Sequence, residues 1–154
     1  MLDESGQLMT LRLRSARLKD SSLIYSWQAD TSTRKYFRDQ TIPSREEHET
    51  WYRQRLLADP LNFWLAEDLN LSGPVGFVRL EREPEGLFVS IVVHPHRRGH
   101  GYGVRMLIAL RQEAPDIDLY ALVDKRNVAS IKTFEKAGYR QLKDGILVSW
   151  RSDK

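Results

Sequence analysis

The chain has no cysteine at all. That absence removes disulfides, thiolate nucleophiles and zinc–thiolate sites, and it makes a cytosolic, reducing setting the expectation. No apolar run reaches the ~20 residues that a membrane span needs, and the first residues lack a signal-peptide pattern. A membrane is therefore not an expected partner. Neither sign of charge collects in one place. The 24 Lys and Arg are mixed with 21 Asp and Glu along the chain, for a net charge of +3. With charge so scattered, nucleic acid is not expected either, although a pI near 9.3 favours an anionic ligand. Internal repeats, low-complexity tracts and linkers are also missing. What is present, 41% hydrophobic residues with 5 Phe, 6 Tyr and 4 Trp in 154 residues, is enough for one domain with a core of its own.

Glycine is scarce, 9 in all, yet three alternate in one stretch, Gly99, Gly101 and Gly103. They follow an apolar run ending Val92-Val93 and precede an amphipathic segment beginning at Val104. Alternating glycines let a chain turn tightly and aim consecutive N–H groups inward. The following helix start adds unpaired donors and partial positive charge, and Arg97 and Arg98 add formal charge. This pattern predicts a seat for a phosphate-bearing ligand.

The rest of the chain is read from periodicity and caps. Leu11 to Arg14 alternates as a strand. Asp20 is placed to cap a helix over 20–29 with Leu23, Ile24 and Trp27 on one face. The stretch 31–41 reads as polar connection. Ser44 and Glu47 form a capping box for a second helix, stopped by Asp59-Pro60. Strands follow over 62–67, 75–80 and 87–93. The last is apolar on both faces and so belongs in the middle of a covered sheet. A helix over 101–113, a strand over 118–123, a helix over 127–137 ended by Gly138, and a hairpin turning at Asp144-Gly145 complete the chain. The expectation is a single α/β domain spanning 1–154, with a mixed β-sheet flanked by helices.

Other glycine turns are excluded by their context. A phosphate loop needs Gly-Lys-Ser/Thr, which Gly103-Val104-Arg105 lacks. A dinucleotide turn follows the first strand, and this one follows four. Arg98-Gly99-His100-Gly101-Tyr102-Gly103 instead resembles the acyl-CoA signature Arg/Gln-x-x-Gly-x-Gly/Ala of the GNAT acetyltransferases. The preceding Val92 and Val93, the later Asn127-Val128-Ala129-Ser130 and the closing Lys136-Ala137-Gly138-Tyr139 extend the likeness from Leu11 to about Trp150. The resemblance implies acetyl-CoA as co-substrate, with no metal. It places the CoA pyrophosphate on the amides of Arg98, Gly99, His100, Gly101, Tyr102, Gly103 and Val104. The pantetheine arm would lie along the backbone of Val92 and Val93, with Asn127 touching it; as a residue pattern alone, Asn127 is equally a helix N-cap.

Acetyl transfer to an amine needs a neutral amine, donors for the oxyanion and a proton for the thiolate. Many family members use a tyrosine seven residues after the asparagine, where this chain has Phe134. Ser130 is the substitute acid that the resemblance suggests; a bond back to its own helix is the structural alternative. Glu81, on the strand beside the expected CoA strand, is the candidate base, with a water chain as the alternative.

A second resemblance concerns the acceptor. Trp27 with Asp30 and Arg34, then Ile42, Glu47-His48 and Trp51, then Pro74 to Arg79 and Val89-Ser90-Ile91 resemble the pseudaminic acid pathway N-acetyltransferases, which act on a UDP-linked 4-amino-4,6-dideoxy sugar used in flagellin glycosylation. It implies that Trp27, Arg34, His48, Trp51 and Arg79 meet the sugar nucleotide, with Tyr52 and Arg38 as further candidates. The two tryptophans and His48 serve equally as core residues. A ribosomal-protein or antibiotic-type acetyltransferase is the nearest rival, and a non-catalytic CoA-binding regulatory domain the next. The sequence leaves a homodimer open.

Overall fold

The computed structural model describes residues 10–37, 39–58, 62–114, 116–143 and 145–149. A mixed seven-stranded sheet carries the chain. In sequence order its strands are β1 (Leu11–Ser15), β2 (Phe63–Asp68), β3 (Pro74–Glu83), β4 (Gly86–Val93), β5 (Leu119–Leu122), β6 (Arg140–Lys143) and β7 (Ile146–Ser149). Their spatial order is β1-β2-β3-β4-β5-β7-β6. β4, apolar on both faces, is the central strand as its composition requires. Every neighbouring pair is antiparallel except β4 with β5.

Strand alternation feeds two cores. Val78, Leu80 and Val89 point to the face covered by helices α4 (Tyr102–Glu113) and α5 (Val128–Lys136), where they meet Met106, Leu107, Leu110 and Phe134. Phe77 and Val92 point the other way, to Ile24 and Trp27 of α1 (Ser21–Gln28) and Tyr52 of α3 (Arg45–Ala58). On the first face the two helices come close at a glycine. A Cβ on Gly103 would stand 2.8 Å from the Thr133 methyl, so α4 and α5 touch there because Gly103 has no side chain.

The capping box of α3 forms as its residues predict. The Glu47 amide donates to Ser44 Oγ at 3.1 Å and the Ser44 amide to Glu47 Oε1 at 2.9 Å. Two local expectations change. The 31–41 connection contains a short helix, α2 (Thr31–Arg34), capped by Asp30, whose Oδ1 accepts the Ser32 amide at 2.9 Å. Asp20 precedes α1 but does not cap it. Its carboxylate accepts two bonds from Arg14 at 2.9 Å each and one from the Arg17 amide at 2.9 Å. The expected stop at Asp59-Pro60, the turn residue Asp144, and Arg38 and Trp150 lie outside the described residues.

Burial pushes the Asp20 carboxyl up, but the Arg14 hydrogen bonds, the Arg17 amide and the Arg14 charge outweigh it and hold it below the ordinary value. A depressed carboxyl contributes stability that is present above the unfolded value of about 4 and lost as pH falls through the folded one. Asp20→Asn should therefore cost about 2 kcal/mol at neutral pH, as expected for breaking a partly buried pair. The difference from the parent in thermal melts should shrink as pH drops below about 4. A gap that stays constant down to pH 3 would exclude the charge as its cause.

Candidate active site

The site begins where the sheet comes apart. β4 and β5 pair only at Leu87–Leu119 and Phe88–Tyr120; beyond these pairs the two strands diverge. The His94 amide donates to Val75 O at 2.7 Å, and Val92 stands opposite Phe77 and Ser90 opposite Arg79. By the alternation of an antiparallel ladder, Ser90, Val92 and His94 turn their backbone groups to β3, while Ile91 and Val93 turn theirs into the gap. This corrects one expectation. Val92 has its polar backbone in the β3 ladder and its side chain in the core, and Ile91 takes its place beside Val93. Composition carries no trace of this; it depends on register, which only strand pairing sets.

At the end of β4 the His94 ring caps a single 3-10 turn, Pro95–Arg97, its Nδ1 accepting the His96 amide at 3.1 Å. Burial, with His96, Arg97 and Arg98 nearby, pushes His94 below its ordinary value, which suits that acceptor role. The chain then passes through Gly99 (φ +82°) and Gly101 (φ +78°), conformations that a side chain disfavours. α4 starts at once. Its first residue, Tyr102, is pinned from below by a buried bond from its hydroxyl to Asp68 Oδ2 at 2.7 Å. Arg97, Arg98, Gly99 and the α4 start line one end of a cleft of about 770 Å³. His100 is exposed and does not line the cleft.

The opposite wall is α5. Asn127 lines the cleft and also caps the helix, its Oδ1 accepting the Ser130 amide at 3.1 Å. Ser130 lines it too. The Thr133 hydroxyl bonds back to Ala129 O at 2.9 Å, whereas the Ser130 hydroxyl takes no partner among the described residues. Phe134 is buried edge-on against Tyr139, their centroids 5.0 Å apart.

Tyr36, Phe37, Phe77, Arg79 and Ser90 line the same cleft. The Arg79 guanidinium lies over the Trp51 ring, 5.4 Å from its centroid, and meets Glu81 at 3.2 Å, while its buried Nε has no partner among the described residues. Glu81 also pairs with Arg55 at 3.5 Å and stands outside the cleft lining, so it holds Arg79 rather than facing a substrate. Trp51 reaches the cleft only through Arg79.

Four expected acceptor residues are placed elsewhere. Trp27 is 2% exposed and stacks on Phe77. His48 is 1% exposed, its Nε2 on Ser21 O at 3.1 Å, among the rings of Tyr25, Trp51 and Tyr52. Burial pushes its imidazole below the ordinary value and so favours the neutral form. Tyr52, also fully buried, bonds the Arg17 carbonyl at 2.6 Å. Arg34 staples its own loop, donating to Gln28 O at 2.6 Å and Asp39 O at 3.3 Å. Two aromatics that line the cleft, Tyr36 and Phe37, sit in the stretch that reads as plain connection. The signal available for them was two adjacent aromatics in an otherwise polar loop.

A sheet parted beside its central strand, with a glycine-turned helix start opening onto the same cleft, suits a protein that lays an extended, phosphate-bearing molecule against a second substrate. The chain belongs to the GNAT acetyltransferase family: the model of the acetyltransferase (GNAT) domain matches residues 10–140. It is accordingly an acetyl-CoA-dependent N-acetyltransferase. Solved structures with the same fold include a spermidine N-acetyltransferase from Vibrio cholerae in complex with CoA and spermine (TM-score 0.76, 17% identity, 94% of this chain and 90% of that one). An aminoglycoside acetyltransferase in complex with coenzyme A and kanamycin aligns with TM-score 0.73 and 17% identity over 92% and 95% of the two chains. A putative phosphinothricin N-acetyltransferase aligns with TM-score 0.75 and 23% identity over 93% and 99%. Among curated proteins no sequence matches.

The residues present suit acetyl-CoA. Backbone groups of Ile91 and Val93 turn toward the gap beside β5, and the glycine turn lines the same cleft. Among the described residues no group of three His, Asp or Glu could hold a metal ion, and no helix is long and apolar enough to cross a membrane.

Proposed function

We propose that this enzyme acetylates the primary amine of a small anionic acceptor, the 4-amino group of a UDP-linked 4-amino-4,6-dideoxy sugar being the acceptor that its residues resemble. One observation carries the reading. At the acceptor end the charged group is Arg79, with an unsatisfied buried Nε, and the one carboxylate among the described lining residues, Asp124, is spent on Arg126 at 2.8 Å. A polycation such as those bound by the spermidine and aminoglycoside enzymes would meet no free carboxylate here, whereas a diphosphate would meet a guanidinium fork. The lack of cysteine fits a cytosolic setting.

When bound, acetyl-CoA supplies the activated acetyl group. The chain's own part is to hold and orient it. The amides from Arg98 to Val104 take the pyrophosphate, and Ile91 and Val93 pair with the pantetheine arm. Asn127 sets the first turn of α5 so that Ser130 can donate a hydrogen bond to the departing sulfur. Arg79, braced by Glu81 and Trp51, orients the acceptor. With no free carboxylate in the lining, the amine proton leaves through water.

Acetyl-CoA turnover should be measured with the UDP-4-amino sugar, with an N-terminal peptide and with spermidine. The sugar is expected to react at least tenfold faster in kcat/KM, and Arg79→Ala should raise its KM about tenfold, the loss of a charge-assisted contact. Turnover with the peptide alone would overturn the acceptor assignment. Binding of acetyl-CoA with no thiol released with any of the three amines would restore the regulatory-domain reading.

A further inference from the structure

Arg98 has a second set of partners that binding of phosphate does not explain. Its Nη1 donates to Ser32 Oγ and its Nη2 to Thr33 Oγ1, each at 2.7 Å. Ser32 and Thr33 belong to α2, on the acceptor side, 66 and 65 positions earlier in the chain. The Ser32 hydroxyl gives its own proton to Asp30 Oδ1, and the Asp30 carboxylate also accepts the Ser32 amide. A hydroxyl has one proton and two lone pairs. With its proton committed to Asp30, Ser32 meets Arg98 purely as an acceptor, and the negative charge behind it strengthens that role. Two of the five guanidinium N–H groups are thus occupied, which leaves three for a ligand.

We propose that Ser32 and Thr33 are positioning residues for acetyl-CoA, holding the Arg98 guanidinium over the phosphate end of the cleft and tying the acceptor wall to the cofactor loop. An arginine side chain carries about 2 kcal/mol of rotamer entropy. A fork already fixed by two hydroxyls gives up less of it when phosphate arrives. The turn after α2 carries Tyr36 and Phe37, which line the acceptor end. Setting Arg98 and setting that wall are then one event, and coupling of this kind runs equally in both directions. The inference rests on the CoA seat described above and is independent of which amine is acetylated.

The test uses the full chain and coenzyme A itself. Ser32→Ala/Thr33→Val should raise the calorimetric Kd about fivefold, the size expected from losing about 1 kcal/mol of net hydrogen bonding. In an Arg98→Ala background the same pair of substitutions should change nothing further. Thr33→Ser, which keeps the hydroxyl, should bind as the parent does. Coenzyme A should slow tryptic cleavage after Arg34 and Lys35 in the parent and leave it unslowed in the double variant. A Kd that is unchanged or tighter in the double variant overturns the proposal. So does an equal loss in the Arg98→Ala background, because the hydroxyls would then act on the fold and not through the guanidinium.

Discussion

Ser130→Ala is expected to lower kcat by about 10- to 100-fold with the Kd for acetyl-CoA within twofold of the parent, the effect of removing a hydrogen bond to a charge that develops in the transition state. The leaving group is a thiolate, whose conjugate acid titrates near 8.5 in simple thiols, so at neutral pH its departure depends on a donor close to sulfur. The cleft offers few candidates. Phe134 has no proton to give, and Tyr139, buried against it, has its hydroxyl pushed well above the ordinary value by that burial. The Thr133 hydroxyl is spent on Ala129 O, which leaves Ser130 as the hydroxyl of this helix turn that is free to donate into the cleft. The substitution keeps the backbone bond from the Ser130 amide to Asn127, so α5 should hold its start. Thr133→Ala is the control from the next turn and should change the rate less than twofold, within ordinary surface variation. The loss at Ser130 should diminish at high pH, where the thiolate no longer needs help. A turnover rate unaffected by Ser130→Ala from pH 6 to 9 would remove the serine from the mechanism.

The parts of the site legible in the sequence are those built from backbone conformation. Gly99 and Gly101 announce themselves because a left-handed turn before a helix needs residues without a Cβ, and the structure gives both a positive φ. The central place of β4 follows from apolar residues on both faces. Ser44 and Glu47 form their box because both partners lie within one turn of helix. The acceptor side was less legible for a physical reason. Helical period puts Trp27 on one face of α1 and His48 and Tyr52 on one face of α3, but period does not say whether those faces meet the sheet or open space. Packing against Phe77 and Phe63 resolves it in favour of the core. Glu81 looks like a free base when read along its strand. Its pair with Arg79 lies along the same strand, but its pair with Arg55 depends on α3 lying beside β3, a contact between residues 26 positions apart. Asp20 is misleading in the same way, since a cap-type residue in a cap position finds a stronger partner in Arg14.

Gly76→Val should cause a large loss of stability, about 3 kcal/mol and near 10 °C in melting temperature for a domain of this size. A Cβ on Gly76 would lie 2.4 Å from Val92 O and 2.9 Å from Met106 Cε. The methionine end can swing aside. The carbonyl cannot, because it belongs to the β3–β4 ladder, where Gly76 stands opposite Val93. Relief requires β4 to move away from β3, and the space on its far side is the gap where Ile91 and Val93 face β5. The same substitution should therefore weaken coenzyme A binding at temperatures where the protein is still folded, by about tenfold for a displaced strand edge that costs one or two backbone hydrogen bonds. Gly73→Ala separates the two effects. Gly73 also has a positive φ, +80°, but a Cβ there meets nothing within 4 Å. That substitution should cost about 1 kcal/mol from backbone conformation alone and leave the Kd for coenzyme A unchanged. If Gly76→Val melts with the parent, or melts early yet binds coenzyme A normally, the close approach of the two strands does not set the cofactor gap.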